Sequence, residues 1–102
     1  VGEKKKIRIK EVGFLYLKNN EQITIVNENK KNFDFVKKNW GYYATPSIND
    51  RLKKEGFKTA LVKNKLNKYY IMVVDKKKIK TFKNYCKIEN QKIIEWIDEK
   101  KN

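Results

Sequence analysis

The chain has 102 residues, of which 39% are hydrophobic and 37% are charged, and its formal net charge is +14. This length and apolar content suit one folded core. A single Cys and the absence of His exclude an internal disulfide, the familiar zinc spacings and the Ser-His or Cys-His pairs of common enzymes. No run approaches the roughly 20 apolar residues of a membrane helix. We therefore expect a cytoplasmic protein without a signal peptide, membrane contact, metal or other cofactor.

Two strands are predicted in the first quarter of the chain. Apolar and charged residues alternate before Gly13, which predicts a strand over residues 6–17 with a bulge at that glycine. Residues 18–21, Lys-Asn-Asn-Glu, are typical of a turn. The β-rich run at residues 22–26 predicts a second strand, which we expect to pair with the first as a hairpin.

A short helix is predicted next. Asn32 suits an N-cap, and Phe33, Val36 and Trp40 have the spacing of one helical face. Gly41 is expected to end this helix.

A second helix is predicted from Thr45 or Ser47. Pro46 suits the first helical position, because a missing backbone N–H costs nothing there. Ser47-Ile-Asn-Asp50 matches a capping box, and Gly56 suits the C-terminal end.

The second half of the chain predicts three strands and a helix. Residues 57–62 and 69–74 predict strands joined by a turn at 64–67. The run 69–74 is apolar on both alternating faces, so we expect it in the middle of a sheet. Asp75 suits the N-cap of a helix that ends at Asn90 and carries one apolar stripe formed by Ile79, Phe82 and Cys86. Residues 92–97 fit a helix or a strand, and their β-branched and aromatic content favours a strand.

The order β-β-α-α-β-β-α-β predicts a single α+β domain over residues 1–102. We expect a mainly antiparallel sheet of about five strands with two to three helices on one face. The lysine-rich ends, residues 1–6 and 99–102, are expected to fray.

One candidate site is the predicted helix start between Tyr42 and Arg51. Free N–H groups and the positive end of the helix dipole favour phosphate or carboxylate binding. Thr45 and Ser47 would add hydroxyl donors, Arg51 a guanidinium, and Tyr42 or Tyr43 an aromatic wall. Helix capping explains the same pattern and is commoner, and a pairing of Arg51 with a structural carboxylate would remove the ligand hypothesis.

A second candidate site is the lysine cluster formed by Lys76, Lys77 and Lys78. These residues fall in the first turn of their predicted helix, where cations oppose the helix dipole. Either a bound phosphate or the codon bias of an AT-rich genome explains them. Arg8 and Arg51 are the only arginines among 26 basic residues, so base readout is not expected.

Three functions are compatible with the sequence. The favoured one is a non-enzymatic domain that binds an anionic partner such as nucleic acid without sequence preference. The second is a small-ligand protein or enzyme that binds a phosphate or carboxylate at Thr45–Arg51. The third is an interaction domain that forms a homo-oligomer through an open sheet edge or exposed aromatic residues, because thirteen aromatics in this chain exceed what a small core needs.

Overall fold

The computed structural model describes residues 8–100, and this part of the chain forms six strands and one main helix. The first three strands are β1 (Glu21–Val26), β2 (Asn32–Lys38) and β3 (Gly41–Ala44), and the next three are β4 (Phe57–Lys63), β5 (Tyr69–Asp75) and β6 (Lys92–Trp96). The helices are the single turn α1 (Arg51–Lys54) and the main helix α2 (Ile79–Ile88). Short 3-10 turns occupy Lys76–Lys78 and Ile97–Glu99.

The α+β class and the antiparallel pairing are confirmed, but the predicted single sheet is wrong. The strands form two three-stranded sheets with the orders β1-β2-β3 and β5-β4-β6. All pairings are antiparallel. The sheets separate after β3, where α1 makes the connection and contacts β4.

The helix predicted from Asn32 is wrong, because this segment forms β2 and the start of β3. Asn27 decides the local structure: its Oδ1 accepts hydrogen bonds from the backbone N–H groups of Asn29 and Lys31, at 2.9 and 3.1 Å. These bonds close a tight turn that returns the chain antiparallel to β1. Beyond the turn, Asp34 and Val36 are buried and alternate with more exposed neighbours, which is the period of a strand.

The hairpin predicted between residues 6–17 and 22–26 is also wrong, because its first strand does not form. Residues 8–17 form no regular secondary structure, and residues 6 and 7 lie outside the described part of the chain. Asn20, with a φ of 69°, donates its backbone N–H to Lys37 O at 2.8 Å, so the turn attaches to β2. The second predicted strand is confirmed as β1. Of the ends expected to fray, residues 1–6 and 101–102 also lie outside the described part.

The predictions for the second half of the chain are largely confirmed. Asp75 caps the helical segment, because its side chain accepts the Lys77 N–H at 3.0 Å. Residues 92–97 resolve mainly as a strand, β6. The central position predicted for residues 69–74 is wrong, since β4 is the middle strand and β5 lies at an edge.

The main core lies between α2 and one face of the β5-β4-β6 sheet. Val62, Val74 and Cys86 are buried there, and the Phe82 ring packs edge-on against Trp96 with centroids 6.0 Å apart. Burial in this layer raises the pKa of the Cys86 thiol.

A buried carboxylate attaches the C-terminal 3-10 turn to β4. Asp98 is 2% exposed, and its Oδ1 accepts the Thr59 backbone N–H at 3.0 Å. Its Oδ2 accepts a hydrogen bond from Lys58 Nζ at 3.2 Å, and Lys58 also binds Glu99. Burial acts to raise the pKa of Asp98, but the Thr59 hydrogen bond and the Lys58 ammonium outweigh it, so the pKa is lowered.

Candidate functional site

The segment 76–88, which contains α2 and the turn before it, carries unbalanced positive charge. It has no acidic residue, and all of its lysines are exposed. Lys80, Lys83 and Lys87 follow the i, i+3, i+7 spacing that aligns residues along one flank of a helix, and we call them the lysine face. At 1.5 Å per residue the lysine face is about 10 Å long. The Lys76–Lys78 turn extends it toward the N-terminus.

The lysine face is separated from the buried side of α2. Ile79, Phe82 and Cys86 form the stripe that faces the sheet, as the sequence predicts. At 100° per residue, the lysine face lies roughly a quarter to a third of a turn away from this stripe. The lysine side chains therefore extend from a surface that the core holds in place.

The carboxylates of the described residues do not neutralise the lysine face. The ion pairs within residues 8–100 use five cations that lie elsewhere: Lys31, Arg51, Lys54, Lys58 and Lys100. No lysine of segment 76–88 lies within ion-pair distance of a carboxylate in this part of the chain. The charge of α2 is therefore available to an external anion.

The start of the helical segment already holds a carboxylate of the chain itself. The hydrogen bond from the Lys77 N–H to Asp75, followed by the ion pair with Lys31 Nζ at 3.0 Å, lowers the pKa of Asp75. The helix end is thus occupied, and any anion binding on α2 depends on lysine side chains rather than on the dipole.

No known family model, curated protein or solved structure matches this chain at a significant level. The function of the chain is therefore inferred from its own residues.

The two tyrosines of the ligand-pocket hypothesis lie on opposite faces of their sheet. Tyr42 pairs with Lys37 and Tyr43 with Val36, and neighbouring residues of a strand point to opposite sides. Tyr43 stacks on Trp40 with ring centroids 6.0 Å apart. The two tyrosine rings cannot form the wall of one pocket.

The polar residues of the Thr45–Arg51 segment bind one another and β2. Thr45 Oγ1 donates to Asp34 Oδ2 at 3.3 Å, and Arg51 Nη2 donates to the same oxygen at 2.9 Å. The Arg51 hydrogen bond is the largest influence on Asp34 and lowers its pKa, and the same contact raises the pKa of Arg51. Arg51 Nε also contacts Glu55, at 3.4 Å. This pairing with structural carboxylates removes the free guanidinium that the hypothesis requires.

The helix predicted from Thr45 or Ser47 starts later, at Arg51, and has four residues. The Ser47 hydroxyl does act on the helix start, because its oxygen accepts the Arg51 backbone N–H at 2.8 Å. This contact satisfies one of the free N–H groups at the helix start. The N-cap position itself is Asp50, whose side chain makes no capping hydrogen bond, so the predicted capping box does not form. Pro46 is buried, so the connection is packed into the fold.

Sequence reasoning identified Lys76, Lys77 and Lys78 but missed the three residues of the lysine face. The signal was present, because their helical spacing falls inside the helix that the sequence predicts. Within residues 8–100 no group of three or more His, Cys, Asp or Glu side chains is placed to hold a metal ion. None of the helices described in that range is long and apolar enough to cross a membrane.

Proposed function

We propose that this protein binds nucleic acid through the lysine face of α2 and the adjoining Lys76–Lys78 turn, without reading base sequence. The observation that carries the proposal is the set of exposed lysines in segment 76–88 that have no carboxylate partner in the described structure. Lysines that contact phosphates gain affinity by releasing condensed counterions, and this term is independent of sequence.

The shape of the surface favours a polymeric anion over a small one. The lysine face lies along the outside of a helix, where no enclosing wall could surround a small ligand. Its length of about 10 Å corresponds to about three phosphates along one strand of a duplex, since these follow every 3.4 Å of the axis. Three ammonium groups on one flank can thus each approach a phosphate.

The arrangement also has a cost for the isolated chain. Cations at a helix start oppose the dipole and cost a few tenths of a kcal/mol each. Like charges at i, i+3 and i+4 spacing repel by similar amounts. A bound polyanion would offset both costs, which supports a binding role for the cluster.

Titration of a random-sequence, fluorescently labelled oligonucleotide at several salt concentrations tests the proposal. The logarithm of the association constant should fall linearly with the logarithm of salt concentration. The triple variant Lys80→Gln, Lys83→Gln, Lys87→Gln should reduce the slope by about 2 to 3, since each lost phosphate contact removes about 0.7 to 0.9.

A matched control removes the same charge from other exposed positions. Lys18→Gln, Lys53→Gln and Lys65→Gln together also lower the formal net charge from +14 to +11. This variant should keep most of the salt slope. Equal losses in the two variants would show that the charge acts diffusely and would refute the lysine face as the site, and no binding at low salt would refute the function itself.

A further inference from the structure

Among residues 8–100, no other strand pairs with the outer edge of β5, and this edge has none of the usual protection against pairing. Its residues Tyr69–Val74 carry no charge, and they include no proline or glycine. The register with β4 runs without a bulge over the whole strand. A long, regular and uncharged edge of this kind is a template for another strand.

The other edge strands of the described structure are less suited to pairing. β3 has four residues and is followed closely by Pro46. β6 pairs with β4 through a register shift and carries Lys92 and Glu95. β1 is the nearest competitor: both strands have one charged end, Glu21 in β1 and Asp75 in β5, but β5 has six uncharged residues in a row and β1 has five.

The register shows which backbone groups of β5 are free. Asn64 N donates to Lys68 O at 3.0 Å, and Lys76 N donates to Gly56 O at 2.8 Å, at the two ends of the β4–β5 pairing. Hydrogen-bonded pairs alternate along an antiparallel ladder, so the even-numbered residues of β5 bond to β4. The N–H and C=O groups of Tyr69, Ile71 and Val73 therefore point outward.

Apolar surface borders this edge on both faces of the sheet. On one face Tyr69 and Ile71 are 58% and 57% exposed. On the other face a groove of about 410 Å³ separates β5 from α2 and is lined in part by Met72, Phe82 and Tyr85. A strand added to β5 would cover apolar side chains on both faces and satisfy the outward backbone groups.

We propose that β5 pairs antiparallel with β5 of a second copy of this chain, about a two-fold axis through Ile71. In this register Tyr69 lies opposite Val73 of the second copy, and Tyr70 opposite Met72. Val74 lies opposite Lys68, so no pair brings two like charges together. A two-fold axis through Met72 instead brings Lys68 opposite Lys76, which is repulsive. The edge is thus complementary to itself, as a two-fold interface requires.

This dimer has one six-stranded sheet with both α2 helices on the same face. The groove side of α2, which includes Phe82 and Tyr85, borders β5, whereas the lysine face lies on the other flank of the helix. Pairing therefore leaves both lysine faces open. Dimer formation and polyanion binding are separable, because association of two chains of charge +14 strengthens with salt while polyanion binding weakens.

Sedimentation equilibrium of the 102-residue chain tests the proposal. The mass should rise from 12.3 kDa to twice this value with concentration, and more readily at high salt. Ile71→Lys should weaken the dimer roughly tenfold or more, because it places two ammonium groups opposite each other. Ile25→Lys on β1, where Ile25 is 52% exposed, is the matched control and should leave the dimer intact.

Two further measurements separate edge pairing from other contacts. Ile71→Pro removes an N–H that points away from β4, so the variant should stay folded and become monomeric. Hydrogen exchange should show the amides of Ile71 and Val73 protected only at concentrations that give the dimer. A monomer at every concentration, equal effects of Ile71→Lys and Ile25→Lys, or fast exchange at both amides in a dimer would each overturn the proposal.

Discussion

Asp98 is the most informative position for testing how the chain is held together. Its carboxylate joins the C-terminal 3-10 turn to β4 through the Thr59 N–H and the Lys58 ammonium. Asp98→Ala removes both contacts and leaves a buried backbone donor without a partner. Asp98→Asn retains an oxygen that can accept the Thr59 hydrogen bond and removes the negative charge alone.

The expected magnitudes follow from these contacts. An unsatisfied buried N–H costs about 1–3 kcal/mol, and breaking a buried ion pair costs about 3–5 kcal/mol when the remaining charge has no other partner. Lys58 keeps Glu99, so the second figure is an upper bound. We expect Asp98→Ala to lower the free energy of unfolding by about 3 kcal/mol, and Asp98→Asn by about 1.5 kcal/mol.

Urea unfolding followed by tryptophan fluorescence measures both variants. Asp50→Ala is the control, because it removes an exposed ion pair with Lys54 at 2.9 Å and should cost about 0.5 kcal/mol or less. The folded-state pKa of Asp98 is lowered, so its contribution is present above the unfolded pKa of about 3.9 and is lost as the pH falls through the folded value. The difference in free energy of unfolding between the native protein and Asp98→Asn should be constant from about pH 7 to 5 and should decrease below about pH 4.

Two results would refute this reasoning. One is an Asp98→Ala cost no larger than that of Asp50→Ala, which would mean that the buried hydrogen bond contributes nothing. The other is a difference in free energy of unfolding between the native protein and Asp98→Asn that stays constant below pH 4. That result would mean that the negative charge of Asp98 does not stabilise the fold.

Two further substitutions test the segment that connects the two sheets. Leu52 is 1% exposed and is the buried residue of α1, so Leu52→Ala should cost about 2–4 kcal/mol in urea unfolding, and a cost below about 1 kcal/mol would contradict its role in the core. Gly56 has a φ of +89°, and a Cβ there would lie 3.1 Å from Lys31 Nζ, so Gly56→Ala should lower the melting temperature by an amount equivalent to about 1–2 kcal/mol. A higher melting temperature for Gly56→Ala would show that the backbone strain is absent.

Local sequence patterns predict the second half of the fold, from β4 onward, whereas they do not predict the first half. In segment 76–88 the capping residue Asp75 and the apolar stripe both indicate a helix. The helical segment is therefore predicted correctly, although its first turn, Lys76–Lys78, is a 3-10 turn. Phe33, Val36 and Trp40 have the spacing of one helical face, but on β2 Phe33 and Val36 lie on opposite faces of the sheet. The side-chain hydrogen bonds of Asn27 form the turn that starts the strand instead. The residue pattern of this segment alone cannot show that the turn over residues 27–31, directly before it, starts a strand.

The same holds for the candidate site: features formed by residues close together in the sequence can be predicted, and features formed by distant residues cannot. The lysines of segment 76–88 are visible in the sequence because they share one helix. The role of Arg51 in α1 is not, because its partner Asp34 precedes it by 17 residues and lies on β2. The edge position of β5 is also not visible in the sequence. The apolar run 69–74 has the pattern of a central strand, and β5 lies at an edge only because β6 pairs with the other side of β4.

Cys86 gives this fold a built-in chemical reporter. It is the only thiol in the chain, and it is buried on the side of α2 that faces the sheet. Burial shields it from reagents and raises its pKa, which disfavours the reactive thiolate while the helix is docked. Alkylation of the native protein therefore requires α2 to separate from the sheet, so the labelling rate reports how often this local opening occurs. The mobility of the surface that carries the lysine face can thus be timed without introducing a probe.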